Sequence, residues 1–203
     1  MEENDIKIIL LGETGVGKTN LIAVFLGAKF NKDTLSTMAC YSYSGKYQHK
    51  KKSYNYTIWD TAGQEKYRAL NKMFVRDAQI IILVYSIVDR SSFNEVNFWL
   101  QYAKENKGDD DYILGLVANK SDLYDEETVT EEEGIKFASD NKIKFAITSA
   151  LQNSINFTSF VNELIGDYID KFILNESKNK DNFRSTSISI NNQNRKNGKK
   201  KCC

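Results

Sequence analysis

The stretch Gly12-Glu13-Thr14-Gly15-Val16-Gly17-Lys18-Thr19 joins a short apolar run, Ile6 to Leu11, to a helical pattern that begins at Asn20. A strand that ends in a glycine-rich turn and leads into a helix directs successive backbone N–H groups at one point, where they can bind phosphate. Lys18 adds a positive charge and Thr19 a hydroxyl suited to Mg²⁺. The stretch therefore predicts a phosphate cradle for a nucleotide. A glycine-rich turn without a ligand is the simpler alternative, and the motif alone does not say which nucleotide binds.

The pattern of apolar residues around this turn predicts the fold. Apolar runs with little polar alternation, as in strands covered on both faces, lie at residues 6–11, 80–85, 113–118 and 143–147. Amphipathic segments separate them and one follows at 157–168, with capping boxes at Ser92–Glu95 and Thr130–Glu133 that predict helix starts. Residues 54–59 alternate instead, which predicts an antiparallel hairpin whose basic turn leaves His49 as a solvated surface residue and not a ligand. The order of elements predicts an α/β domain with a largely parallel sheet and helices on both faces.

Composition bounds the domain organisation and the class of partner. The chain has 203 residues, and its 41% hydrophobic content suits one domain with an ordinary core. We assign residues 1–174 to this domain and 175–203 to a flexible tail, in which serine, asparagine and lysine dominate. A net charge of +1 gives no whole-protein argument for nucleic acid. Neither a secretory signal nor a run of about 18 apolar residues is visible, so export and a membrane-spanning helix are not predicted.

Three further motifs follow predicted strands and identify the base. They are Trp59 to Glu65, Asn119-Lys120-Ser121-Asp122 and Thr148-Ser149-Ala150. Ligands of open α/β sheets bind at the carboxyl ends of the strands, so these motifs converge on one crevice. The Asp122 carboxylate can accept hydrogen bonds from the ring N–H and the exocyclic amine of guanine, which adenine cannot offer in that geometry. The motifs together predict a guanine nucleotide, although Asn-Lys-Ser-Asp alone could be an ordinary polar turn.

These motifs resemble those of the Ras superfamily of small GTP-binding proteins, and in particular the Rab family, over about residues 5–173. The Rab-like features are Trp-Asp-Thr-Ala-Gly-Gln-Glu at 59–65, Tyr67-Arg68-Ala69-Leu70, Val84-Tyr85-Ser86-Ile87, Ser92-Phe93 with Trp99, and Cys202-Cys203. Arg76-Asp77-Ala78 and the segment around Asp140 resemble the endosomal branch of Rabs. The resemblance implies a P-loop small GTPase fold. That fold has a six-stranded, mostly parallel sheet flanked by about five helices, and two switch segments that differ between the GTP and GDP states.

The resemblance also implies roles for individual residues. Gln64 would orient the attacking water, and Gly63 would donate its N–H to the γ-phosphate. Mg²⁺ would be bound by Thr19 and Thr37, with Asp60 acting through a water. The other residues implied to bind GTP or GDP are Gly15, Val16, Gly17, Lys18, Asn20, Phe30, Asn119, Lys120, Asp122, Ser149, Ala150 and Leu151. Leu151 replaces a lysine that is usual in the family, and residues 38–42 depart from the usual switch I sequence.

By this resemblance we expect a GTPase switch that forms GDP and phosphate and recruits effectors in vesicular traffic. No arginine lies between Thr19 and Thr37 to assist the reaction, so turnover should be slow without an activating protein. The other implied partners are an exchange factor, a dissociation inhibitor or escort protein, and effectors that contact the switches; the protein itself would be a monomer. One alternative is a divergent GTP-binding module with negligible hydrolysis, which acts by occupancy or rapid exchange. Another is a P-loop ATPase or kinase, which Asp122 disfavours.

The two cysteines at the end of the sequence suggest a membrane anchor. Three cysteines in all, two of them adjacent, do not form a disulfide framework. By the resemblance Cys202 and Cys203 would carry geranylgeranyl chains, and the basic run at 195–201 would attract anionic lipid. This predicts a cytoplasmic protein on the cytosolic face of endomembranes, soluble when GDP is bound. An unmodified pair of thiols, a zinc site and a nuclear localisation signal are the alternatives.

Overall fold

The computed structural model describes residues 5–31, 41–60, 68–108, 111–152 and 154–174. Within these ranges six strands form one sheet in the order β2-β3-β1-β4-β5-β6. The strands are β1 (Asp5–Leu11), β2 (Tyr41–His49), β3 (Lys52–Asp60), β4 (Ile80–Ser86), β5 (Ile113–Asn119) and β6 (Lys144–Ile147). Only the β2–β3 pair is antiparallel among these described strands. The predicted six-stranded, mostly parallel sheet and its antiparallel hairpin are confirmed.

Helices connect the strands in the α/β order that the sequence predicts. They are α1 (Lys18–Phe25), α2 (Arg68–Arg76), α3 (Arg90–Asn94), α4 (Val96–Lys107), α5 (Glu131–Asn141) and α6 (Ser154–Tyr168). A 3₁₀ helix, Ser121–Glu126, follows β5, and a π-helical turn, Ile169–Ile173, extends α6. The described chain has one α-helix more than the five expected, because the segment between β4 and β5 is divided at Glu95. In the described ranges, none of the helices is both long and apolar enough to cross a bilayer.

Two apolar clusters cover the two faces of the sheet. On one face α1 and α6 pack with Leu21 and Leu164 against strand residues such as Ile8. On the other face α4 and α5 pack with Trp99 and Ala138 among the buried side chains. The central strand β4 is buried along its whole length, which explains why it shows no polar alternation. Because both faces of the sheet are covered, a ligand can approach it at the loops that follow the carboxyl ends of the parallel strands.

One predicted helix start is wrong and one is confirmed. The helix after β4 does not begin with a capping box at Ser92 and Glu95. Its N-cap is Asp89, whose Oδ1 accepts hydrogen bonds from the N–H groups of Ser91 and Ser92 at 3.0 and 3.4 Å. The Ser92 side chain is buried instead, and its Oγ donates to the Asp89 carbonyl at 2.7 Å. The capping box at Thr130–Glu133 is confirmed at the start of α5.

The prediction that His49 is solvated is also wrong. Its side chain is only 16% exposed, and Nε2 lies 2.8 Å from Oδ1 of Asp170 in the π-helical turn. The imidazole stacks on Tyr47, and Lys50 Nζ contacts the same Asp170 oxygen at 2.6 Å. The β2–β3 turn therefore packs against the end of the last helix. The partner lies 121 positions away in the sequence, where a local pattern gives no signal of it.

Candidate nucleotide-binding site

The loop between β1 and α1 lies so close to neighbouring strands that two of its positions accept only glycine. At Gly12 φ is +149°, and an added Cβ would lie closer than 3.0 Å to the carbonyl oxygen of Val84 in β4. At Gly17 φ is +99°, and an added Cβ would overlap Nδ2 of Asn119 at the end of β5. Both values of φ are unfavourable for residues with a side chain. The bare backbone thus leads into the N-terminus of α1, an arrangement that fits phosphate oxygens.

The Lys18 side chain turns back over this loop. Its Nζ donates hydrogen bonds to the carbonyl oxygens of Gly12 and Glu13 at 2.8 and 2.9 Å, and the residue is 5% exposed. Burial lowers the pKa of Lys18 to about 8, and the carboxylates of Asp60 and Glu13 offset part of that effect. A phosphate beside Nζ would favour the charged ammonium, because an opposite charge nearby stabilises it.

Asn119 joins residues 12–17, the loop between β1 and α1 that we call the phosphate loop, to the loops that follow β5 and β6, which we call the base side. It is 1% exposed, and its Nδ2 donates to the carbonyl oxygen of Val16 at 2.7 Å. Its Oδ1 accepts from Oγ1 of Thr148 at 3.3 Å, and the N–H of Thr148 donates to the carbonyl of Ala118 at 2.8 Å. The described contacts of Asn119 therefore hold two loops together. The sequence motif placed Asn119 at the site but did not predict this role or the part played by Thr148.

Ser149 fixes the orientation of Asp122. Its Oγ donates to Oδ1 of Asp122 at 2.5 Å and accepts from the N–H groups of Leu151 and Gln152 at 3.1 and 2.9 Å. Lys120 has a φ of +66°, and this left-handed turn leads the chain from β5 into the 3₁₀ helix. The carboxylate is thus held in place by a hydroxyl that is itself held by two backbone groups. Such preorganisation suits recognition of two adjacent N–H donors on a base.

Thr19 and Asp60 carry a hydroxyl and a carboxylate, which are oxygen groups of the kind that could hold Mg²⁺ beside a phosphate. Thr19 is the second residue of α1, and Asp60 is the last residue of β3 and 2% exposed. Asp60 directly follows Trp59, which pairs with Ile9 of β1, so it lies near the start of the loop between β1 and α1. Its negative charge raises the pKa of Lys18, in agreement with that position. Mg²⁺ is usually bound by one or two protein ligands together with phosphates and waters. A hydroxyl and a carboxylate at the phosphate loop fit that pattern.

The remaining predicted residues are only partly described. Phe30 is half-buried and packs against the apolar cluster on the α1 side of the sheet. Ala150 is buried, whereas 55% of Leu151 is exposed. The structure brings together at one edge Gly15, Val16, Gly17, Lys18, Thr19, Asn20, Asp60, Asn119, Lys120, Asp122, Ser149, Ala150 and Leu151. Thr37, Gly63, Gln64, Cys202 and Cys203 lie outside the described residues.

One contact at the loop was missed by sequence reasoning. Nε1 of Trp99 in α4 donates a hydrogen bond to Oε1 of Glu13 at 3.1 Å, across a separation of 86 positions. No local pattern links the two residues. The nearest signal was the position of Glu13 within the glycine-rich stretch, to which no role was assigned.

The sheet topology and the phosphate loop define a P-loop α/β domain, and comparisons with known proteins identify its family. A model of the Ras family matches residues 7–169. GTP-binding protein ypt3 of Schizosaccharomyces pombe is 38% identical over 148 residues, which cover 73% of this chain and 69% of ypt3. Ras-related protein Rab-11B of Dictyostelium discoideum is 37% identical over 156 residues, covering 77% and 70%. Rab-11A of the same organism is 36% identical over 162 residues, covering 80% and 75%.

The chain therefore belongs to the Ras family of small GTPases and, within it, to the Rab family. This confirms the family predicted from the motifs. The Rab-11 relatives also confirm the predicted resemblance to the endosomal branch.

Proposed function

We propose that this protein is a Rab switch that binds GTP, hydrolyses it to GDP and phosphate, and recruits effectors in vesicular traffic while GTP is bound. The observation that carries the proposal is the way four polar side chains are arranged at one edge of the sheet. Lys18 is fixed over the phosphate loop, Asn119 ties that loop to the base side, and Ser149 orients the Asp122 carboxylate. The printed names of the relatives, a GTP-binding protein and Ras-related Rab proteins, support the same function.

In this proposal each part of the nucleotide has its own residues. The phosphate loop and Lys18 bind the α- and β-phosphates, Phe30 and Leu151 cover the base, and Asp122 accepts the guanine N–H groups. Thr19 and Thr37, with Asp60 through water, would hold Mg²⁺, which neutralises charge on the β- and γ-phosphates. Because phosphoryl transfer needs mainly positioning and charge stabilisation, Gln64 would act by orienting the attacking water, and Gly63 by donating its N–H to the γ-phosphate.

Substitution of Gln64 by leucine tests the hydrolytic part. GTP preloaded on the purified chain with Mg²⁺ should be hydrolysed slowly, on the order of 10⁻⁴ to 10⁻³ s⁻¹, as in a small GTPase that has neither an activating protein nor an arginine in cis. Gln64→Leu should lower the single-turnover rate by about 10-fold to 100-fold, because the water is no longer oriented. Gln101→Leu, at an exposed position of α4, is the matched control and should hydrolyse GTP at the wild-type rate.

The outcome separates the proposal from its alternative. Wild-type protein that retains GTP without hydrolysing it, or that releases GTP faster than it hydrolyses it, would favour the binding module that acts by occupancy or exchange. Equal hydrolysis by wild type and Gln64→Leu would contradict the role of Gln64. Many turnovers per minute by the isolated chain would contradict the need for an activating protein.

We further propose that residues 1–174 form the nucleotide-binding domain and that residues 175–203 are a flexible tail prenylated at Cys202 and Cys203. The tail would place the protein, as a monomer, on the cytosolic face of endomembranes, from which a dissociation inhibitor or escort protein withdraws the GDP form. An exchange factor, an activating protein and effectors would contact the switches. Two lipid chains give stable anchoring, whereas one chain gives only marginal binding.

Serine substitutions at the two cysteines test this anchor. In fractionated cells the double variant, Cys202→Ser with Cys203→Ser, should move wholly to the soluble fraction, and each single variant should lie between it and wild type. Asn197→Ser, in the same tail, is the matched control and should leave the membrane-bound fraction unchanged. Continued sedimentation of the double variant with membranes would rule out anchoring by these thiols.

A further inference from the structure

We infer that Trp99 and Glu13 form a positioning pair that holds the phosphate loop in its nucleotide-binding shape and so sets how long GDP stays bound. The pair is the hydrogen bond from Trp99 Nε1 to Glu13 Oε1, 3.1 Å long. The inference rests on the proposed nucleotide binding and names residues outside the sequence-predicted site that regulate it. Neither residue is expected to touch the reacting atoms.

The donor of this hydrogen bond is fixed by its surroundings. Trp99 is 1% exposed and lies on α4 within the apolar cluster that covers one face of the sheet. Its ring meets Phe98 and Tyr102 edge-on, with centroids 5.3 and 5.9 Å away. An indole packed in this way cannot follow a moving loop, because close-packed cores leave little room for displacement. The Glu13 carboxylate must therefore come to the indole.

The acceptor residue is held at two points. Its carboxylate accepts from Trp99, and its backbone carbonyl accepts from Lys18 Nζ at 2.9 Å. The position of this carbonyl in turn helps to fix Lys18, the cation that would bind phosphate. Release of the Glu13 side chain would therefore loosen one of the two carbonyls that direct the Lys18 ammonium.

The hydrogen bond connects the two faces of the sheet. The loop leads into α1, which packs in the cluster on one face, while Trp99 packs in the cluster on the other. Asn119 ties the far part of the loop to β5 through the Val16 carbonyl. Trp99 and Asn119 thus anchor the loop near its beginning and near its end.

The negative charge of Glu13 is a second reason why the position of its side chain affects phosphate binding. A carboxylate in a loop that binds phosphate would repel the ligand if it were free to turn toward it. The indole N–H gives this carboxylate a fixed partner in α4. Hydrogen bonds to charged groups are about twice as strong as neutral ones, so the contact can restrain the side chain.

The test is a double-mutant cycle on GDP release. Trp99→Phe keeps an aromatic ring and removes the donor, and Glu13→Ala removes the acceptor. Each should raise the rate at which a fluorescent GDP leaves the Mg²⁺-bound complex by about 10-fold, the loss expected for one charge-assisted hydrogen bond. The double variant should release GDP no faster than the faster single variant, since both remove the same contact. Glu13→Gln, whose amide oxygen can still accept from Trp99, should stay within about 3-fold of wild type.

Leu100→Val is the matched control for loss of stability. Leu100 is fully buried on the same helix and in the same cluster, so its truncation weakens packing without removing a donor. The unfolding midpoint of each variant is measured separately, so that the rates of GDP release are compared between variants of known stability. Release from Trp99→Phe no faster than from Leu100→Val, or additive effects in the double variant, would overturn this inference and leave the proposed function intact. Wild-type protein that fails to retain GDP would instead overturn the proposed function itself.

Discussion

Substitution of Asp122 by asparagine should weaken GDP and GTP binding by about 10³-fold or more and shift selectivity toward xanthine nucleotides. In the proposed site the wild-type carboxylate would accept hydrogen bonds from the ring N–H and the exocyclic amine of guanine, whereas the N–H of an asparagine would face another donor. Sites built on such hydrogen bonds reject mismatched ligands by about 10⁴ to 10⁵. Xanthine carries a carbonyl where guanine carries the amine, so the asparagine N–H regains a partner.

The contacts of Asp122 prevent its side chain from rotating away from a base that presents the wrong hydrogen-bonding groups. Ser149 Oγ lies 2.5 Å from Asp122 Oδ1 and is itself fixed by the N–H groups of Leu151 and Gln152. The measurement is the displacement of a fluorescent GDP by unlabelled GDP and, separately, by xanthosine diphosphate. Asp125→Asn, at an exposed acid in the same 3₁₀ helix, is the control and should leave both affinities unchanged. Retained preference for GDP in Asp122→Asn would contradict the assignment of the base site.

The strands were predictable because their physical cause is local. Strand β4, for example, is a continuous apolar run, and its complete burial follows from that pattern. The start of α3 could not be predicted in the same way. Asp89 and Ser92 lie three residues apart and both residue types are suitable N-caps, and the helix uses Asp89. The burial of His49 depends on Asp170, far along the chain, so neither composition nor spacing could predict it.

The site shows the same division between local and distant causes. The motifs located Lys18 and Asp122 correctly at one edge of the sheet, because strand ends in a parallel sheet converge. They did not predict how these groups are held. The tie from Asn119 to Val16 spans 103 positions, and that from Trp99 to Glu13 spans 86. Supporting contacts of this kind arise only when the chain is folded, so a motif names the residues that meet the ligand and leaves out those that position them.

Substitution of Gly12 by alanine should lower the free energy of unfolding by about 2 to 6 kcal/mol, the sum of overpacking of about 1 to 3 kcal/mol and backbone strain of similar size. The added Cβ would lie closer than 3.0 Å to the Val84 carbonyl oxygen and 3.1 Å from its carbonyl carbon. The neighbour is backbone of the central strand, which pairs with β1 at Leu10 and Ile82 and at Leu11 and Leu83. It cannot move away without disturbing that pairing.

Gly27→Ala separates the close contact from the backbone strain in this prediction. Gly27 has a φ of +84°, yet an added Cβ there meets no atom within 4 Å, so alanine should cost only about 1 to 2 kcal/mol. Urea unfolding should be followed without nucleotide and with EDTA, because bound ligand would add its own stabilisation. Equal losses for Gly12→Ala and Gly27→Ala would mean that the loop can move away from β4. A much larger loss at Gly12 would mean that the phosphate loop packs directly against β4. Packing against this strand would then require glycine at position 12, in addition to any requirement of phosphate binding.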